Sequence, residues 1–245
     1  MSTKVGLIVP SSNTTMETEL PKLFGSIPDY DFTFHSARVR MKHVTPEELA
    51  AMVKASGVAA ESLADMNPDV VAYACLVAVM TQGMGFHEVA EGMLSESLSI
   101  GGSEAPVVSS AGALIEGVRA LGAQRIALAA PYLKPLTQTV IAYIQAAGIE
   151  VLDSVSLEVS DNVAVGCIPA DRLLEAVRTL DFGSADAFVL SACVQMPSLD
   201  LVHRVEQEIG IPVITAATAT TYSVLKRLGL PTNVTMAGAL LDGTR

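Results

Sequence analysis

Three blocks of this sequence recur in the same order at nearly the same spacing, and that repetition restricts the fold more than any other feature. The apolar run Val5-Gly6-Leu7-Ile8-Val9-Pro10 returns as Ile126-Ala127-Leu128-Ala129-Ala130-Pro131. Asp69-Val70-Val71-Ala72-Tyr73-Ala74-Cys75 is matched by Asp186-Ala187-Phe188-Val189-Leu190-Ser191-Ala192-Cys193. Ala105-Pro106-Val107-Val108-Ser109-Ser110-Ala111 is echoed by Ile211-Pro212-Val213-Ile214-Thr215-Ala216-Ala217. Val5 precedes Cys75 by 70 positions and Ile126 precedes Cys193 by 67, so spacing repeats along with order. Chance resemblance between short apolar runs does not produce three matched blocks in register.

Between the blocks the hydrophobic period changes from that of strands to that of helices. Thr45-Pro46-Glu47-Glu48 carries a capping box with proline at the first helical position, and Leu49, Met52 and Val53 follow on one face. Leu133, Leu136, Val140 and Ile144 form a second stripe, closed by Gly148. A helix opening at Pro169 carries Leu173, Leu174, Val177 and Leu180, and another is marked by Val202, Val205 and Ile209. Strands alternating with such helices imply βαβ units, and near-continuous apolar strands imply a sheet covered on both faces. The expectation is an α/β protein of two pseudo-symmetric Rossmann-like halves. Each half has a four-stranded, mostly parallel sheet flanked by helices, with the active site in the cleft between them. Residues 1–110 with a returning segment 218–245 are expected to form one half and 111–217 the other. The 50% hydrophobic content against 17% charged residues calls for a large core or a buried subunit contact, hence an expected homodimer.

In an open α/β sheet, ligands bind outside the carboxyl ends of the strands. Cys75 and Cys193 both stand there, and a pseudo-twofold axis would set them on opposite walls of one cleft. A single strand-end cysteine is more commonly an inert core residue than a nucleophile. Two at duplicated positions point to chemistry on both faces of a small planar centre. Helix N-termini and backbone N–H groups after each strand are expected to lower the thiol pKa from its usual ~8.5. Cys167 has no counterpart in the first half and reads as a packing residue. The four histidines (His35, His43, His87, His203) have no metal-ligand spacing, and Gly83-Met84-Gly85 is only a fragment of a dinucleotide fingerprint.

A net charge of −11, with no Lys/Arg cluster and few aromatics, argues against nucleic acid as a partner and requires any anion site to be built locally. No apolar run approaches the ~20 residues of a membrane span, and the opening segment breaks at Pro10, too early for a secretory signal. Three widely spaced cysteines suggest thiols rather than a disulfide framework. A cytoplasmic location is expected.

The segment Pro10-Ser11-Ser12-Asn13-Thr14-Thr15-Met16-Glu17 offers both a helix cap, from Ser12, Asn13 or Thr14, and an oriented set of donors for a carboxylate. Together with Tyr73-Ala74-Cys75-Leu76-Val77-Ala78 and Ser191-Ala192-Cys193-Val194-Gln195-Met196-Pro197-Ser198-Leu199, it resembles the maleate cis–trans isomerases. Those enzymes sit in the aspartate/glutamate racemase superfamily beside the arylmalonate decarboxylases, and the likeness covers essentially the whole chain. It implies Cys75 as nucleophile and Cys193 as proton donor. It also implies substrate contacts from Asn13, Leu76, Val77, Tyr132, Asn162, Val194 and Gln195, a small dicarboxylate (maleate) as substrate, and neither cofactor nor metal. Read without the family, Tyr132 is a half-buried strand-end aromatic and Asn162 a turn residue.

Two cysteines set against one another would also serve an amino-acid racemase, although no acidic residue for a substrate ammonium stands in the motif segments. Decarboxylase relatives keep one cysteine of the pair. A passive two-lobed binding protein has no use for thiols at both strand ends.

Overall fold

A computed structural model describes residues 2–235 and 237–244 of the 245-residue chain. The first sequence repeat runs β1 (Thr3–Pro10), α1 (Met16–Gly25), β2 (Phe32–Val39), α2 (Pro46–Ala64), β3 (Val70–Tyr73), α3 (Leu76–Met80), α4 (Phe86–Ile100), β4 (Val107–Ser109) and α5 (Ser110–Ala120). The second runs β5 (Arg125–Ala130), α6 (Lys134–Ala146), β6 (Glu150–Ser156), α7 (Asn162–Gly166), α8 (Ala170–Val177), β7 (Ala187–Ser191), α9 (Val202–Ile209), β8 (Val213–Thr215) and α10 (Ala216–Arg227). The four strands of each half form a parallel sheet, ordered β2-β1-β3-β4 in one and β6-β5-β7-β8 in the other. The repeated sequence blocks are therefore the two inner strands and one outer strand of each sheet, in equivalent places.

Burial explains why those blocks were legible. Strands β3, β7, β4 and β8 are buried at every residue, so alternation disappears and the runs read as continuously apolar. The edge strands β2 and β6 carry mostly half-buried and exposed side chains, and no comparable signal.

The halves are joined through their last helices. Ser109 caps α5 by accepting from Gly112 N–H, and Thr215 caps α10 by accepting from Thr218 N–H, again at matched positions. Helices α5 and α10 pack on one another, with Ser110 Oγ and Thr220 Oγ1 at 2.8 Å. Each also crosses to the other sheet: α10 lies on β3, β4 and α1, and α5 on β8. Gly117 makes that crossing possible, because a Cβ there would sit 2.6 Å from Ile214 Cδ1.

Several local expectations need correction. Thr45 does cap α2, but Glu48 turns away from the Thr45 N–H and accepts instead from Lys42 and His43 N–H. Leu133 lies outside the α6 stripe, exposed at the cap position, since the helix starts one residue later at Lys134 with Pro135 in its first turn. The helix after Pro169 ends at Val177, short of Leu180. Cys167 is exposed at the C-cap of α7 instead of being packed in the core.

Candidate active site

Cys75 follows β3 by two residues and caps the five-residue α3, while Cys193 follows β7 by two residues. Both are buried, at 1% and 5% relative exposure, and lie close enough for the charge on one to disfavour ionisation of the other. The structure brings the two sequence-predicted thiols together. It contradicts the expected lowering of their pKa. Burial pushes the Cys75 thiol up to about 12, against a smaller opposing effect from the Ala78 backbone N–H. Burial also raises Cys193, opposed by hydrogen bonds from Tyr132 and from the Gln195 and Met196 N–H groups. The helix after Cys75 spans barely one turn and Cys193 enters an irregular loop, so no long helix dipole offsets desolvation.

Tyr132 is fully buried rather than half-buried. Its hydroxyl donates to the Ala192 carbonyl at 3.1 Å and lies within hydrogen-bonding reach of the Cys193 sulfur. Asn162 is the first residue of α7, capped by Asp161, and is buried instead of lying in an exposed turn. Its amide Nδ2 donates to Ser12 Oγ at 2.9 Å, which ties α7 to the loop after β1.

Asn13 Oδ1 accepts from Met16 N–H at 3.0 Å, which makes Asn13 the residue that satisfies the start of α1. Its Nδ2 donates to the Val194 carbonyl at 3.1 Å, beside Cys193. Gln195 is used more completely. Its Oε1 accepts from Thr14 N–H at 2.9 Å, and its Nε2 donates to the Ser12 and Asn162 carbonyls at 3.1 and 3.0 Å. The Gln195 side chain is thus a clamp between loops, and the group it turns to the sulfur is its backbone N–H, 3.4 Å from Cys193 Sγ. Leu76 and Val77 open α3 next to Cys75, with N–H groups that have no intrahelical acceptor.

A strap joins the loop before α2 to the start of α7. His43 and Asp161 form an antiparallel bridge, flanked by Val44 N–H to Ser160 O at 3.3 Å and Asn162 N–H to Lys42 O at 3.4 Å. Beside it lies a cavity of about 390 Å³, walled by Val44, Pro46, Thr81, Tyr132, Leu136 and Val159. Among the described residues no cluster of histidine, cysteine and carboxylate side chains could hold a metal ion, and no helix is long and apolar enough to cross a membrane.

Sequence reasoning missed Glu19. It is buried on α1 and accepts from Ser198 and Leu199 N–H at 2.8 and 2.9 Å. A signal was present: Met16, Glu19, Leu20 and Leu23 make one buried stripe, with a carboxylate standing where an apolar residue is expected.

Comparison with known proteins gives the arrangement a family. Residues 5–241 match the arylmalonate decarboxylase family. The maleate isomerase of Geobacillus stearothermophilus is 56% identical over 244 residues, covering 98% of this chain and 97% of that protein. A variant of the Nocardia farcinica maleate cis–trans isomerase, solved with a covalently bound succinylcysteine intermediate, superimposes with a TM-score of 0.98 at 51% identity over 100% of both chains. A Pseudomonas putida maleate isomerase variant solved with maleate has a TM-score of 0.98 at 48% identity, over 100% of this chain and 99% of the other. Full-length identity near one half, together with the duplicated fold and its facing thiols, places this chain in the arylmalonate decarboxylase family and, within it, among the maleate isomerases.

Proposed function

We propose that this chain isomerises maleate to fumarate without a cofactor, with Cys75 as nucleophile and Cys193 as proton donor and acceptor. The observation that carries the reading is the pair of buried, mutually interacting thiols, one from each half, at equivalent strand ends. The covalent succinylcysteine of the Nocardia farcinica relative supports addition of a cysteine sulfur to the substrate.

The reaction needs one negative charge shared by two sulfurs. Cys75 thiolate adds its electron pair to one alkene carbon. The π pair moves to the other carbon and into its carboxylate, and the Cys193 S–H delivers a proton to that carbon. The product is an S-succinyl Cys75 with a single central C–C bond and a Cys193 thiolate. Rotation about that bond follows. Cys193 thiolate then withdraws a proton from the same carbon, the double bond re-forms in the trans arrangement, and the C–S bond breaks to restore Cys75 thiolate.

Developing carboxylate charge is met by fixed N–H donors: the backbone of Leu76 and Val77 on one side and of Val194 on the other, the Gln195 N–H being turned to the Cys193 sulfur. Asn13 and Asn162 each commit one amide N–H to the protein, which leaves the second for substrate. Tyr132 holds Cys193 in place. Because burial raises both thiols, the ionised sulfur is a strong base and a strong nucleophile once formed.

Three coarser features belong to the same reading. The packing of α10 on α1, β3 and β4 supports grouping 218–245 with 1–110, and 111–217 as the second half. Val89, Met93 and Ile100 form an exposed apolar stripe on α4 that suits a homodimer contact. Reduced, reactive thiols suit the cytoplasm.

Proton NMR of the purified protein with maleate, no cofactor added, tests the proposal beside a Cys75→Ala control. Fumarate formed by the unmutated protein alone supports it. Maleate left unchanged refutes it.

A further inference from the structure

We propose that Glu19 is a positioning residue that fixes the loop of residues 193–199 so that its N–H groups stay aimed at the Cys193 sulfur. The role extends the two-thiol reading above and rests on it for its catalytic consequence.

The loop has little regular structure of its own. From Cys193 it runs through Val194, Gln195 and Met196 to a 3-10 turn at Leu199–Leu201. Two of its N–H groups, Gln195 and Met196, face the sulfur. Its near end is tied to the first half by Asn13 Nδ2 to Val194 O and by Thr15 Oγ1 to Gln195 O at 2.7 Å. Its far end is held by Glu19, whose Oε1 accepts both Ser198 and Leu199 N–H. Asn13, Thr15 and Glu19 thus present three attachment points from the start of α1, each reaching into the opposite half. Remove the last, and the segment after Met196 keeps only the solvent-exposed Lys22–Asp200 ion pair, 3.5 Å long, as a side-chain tie to α1 among the described residues.

The carboxylate is held away from water, with Asp200 and Lys22 as its charged neighbours, and burial raises its pKa against the two backbone donors. A buried carboxylate in an apolar helix stripe is costly unless it does something an apolar residue cannot. Accepting two N–H groups on one oxygen is such a task.

The test follows the thiols one at a time. Site-resolved iodoacetamide labelling, read by peptide mass spectrometry, is run on the unmutated protein, Glu19→Ala and Glu19→Gln, with exposed Cys167 as internal reference. Glu19→Ala is expected to label Cys193 at least about tenfold faster, with Cys75 within about twofold. The glutamine variant, which keeps an oxygen for the two N–H groups, stays near the unmutated rate at both. With maleate, Glu19→Ala is expected to lose on the order of 30-fold in kcat with KM within about threefold, and Glu19→Gln to recover most of it, because a misplaced group costs rate rather than binding. Unchanged Cys193 labelling in Glu19→Ala, or equal acceleration of Cys75, overturns the proposal. If no variant and not even the unmutated protein converts maleate, the isomerase reading fails, and the labelling pattern still decides the role of Glu19.

Discussion

Replacing Gln195 with leucine should weaken the joint between the halves by an amount the hydrogen bonds set. Leucine has nearly the same volume but neither accepts from Thr14 N–H nor donates to the Ser12 and Asn162 carbonyls. With Thr15 N–H, which shares the same oxygen at 3.4 Å, four backbone groups lose a partner in a site where Gln195 itself is 2% exposed. At ~1–3 kcal/mol for each unsatisfied buried group, and with water recovering part of it, the loss is about 3 kcal/mol or more. For a chain of this length that corresponds to a fall of roughly 6–12 °C in Tm. Equilibrium urea unfolding followed by circular dichroism measures it directly. Gly166 provides an internal check, because a Cβ there would lie 2.5 Å from Gln195 Nε2. Gly166→Ala should therefore cost about 1–3 kcal/mol in the unmutated protein and clearly less in a Gln195→Ala background, where the obstructing amide is gone. A leucine variant within 1 kcal/mol of the parent, or equal costs of Gly166→Ala in both backgrounds, would falsify the clamp.

Three further outcomes are expected. With Cys75 near 12, the thiolate fraction climbs tenfold per unit below that value, so kcat/KM for maleate should rise about tenfold per unit from pH 7 to 9; a plateau already at pH 7 would mean that the attacking sulfur is ionised in the free protein. Tyr132→Phe removes the hydroxyl that holds Cys193 and should lower kcat by ~10–100-fold with a smaller change in KM, measured by steady-state kinetics. Asp186 is held at about 2 by Arg125 and the Gln124 N–H, so its stabilisation is fully present above the unfolded value of ~3.9 and is lost as pH falls through about 2. Asp186→Asn should flatten the decline of the urea midpoint between those pH values, and an unchanged slope would count against the ion pair.

What the sequence revealed about the fold came from burial. Inner strands covered on both faces read as apolar runs, and duplication told which runs were equivalent. Cys75 and Cys193 were legible for the same reason, as repeats at the ends of repeated strands. The site's electrostatics were not. That the thiols are pushed up rather than down depends on how completely the packed halves bury them, which no local spacing encodes. Gln195 and Glu19 were opaque in a related way. Each acts on backbone groups some 180 positions away in the chain, such as Thr14 for Gln195 and Ser198 for Glu19, and backbone partners leave no mark in residue identity. Cys167, read as a packing residue for want of a counterpart in the first half, is instead exposed, because the end of α7 turns it outward between buried Val165 and Ile168.

The duplicated halves have a consequence for chemistry that needs two different thiols. Two identical half-length chains about a true twofold axis would wrap both sulfurs in the same environment, and neither could specialise. In one continuous chain the copies are free to diverge: Tyr132 follows Pro131 beside Cys193, while Ser11, in the matching place after Pro10, turns to the Met41 backbone instead. Likewise Cys75 leads into a helical turn and Cys193 into an anchored loop. Fusion of the repeats is thus the step that permits a division of labour, with one sulfur free to attack and its counterpart free to handle the proton.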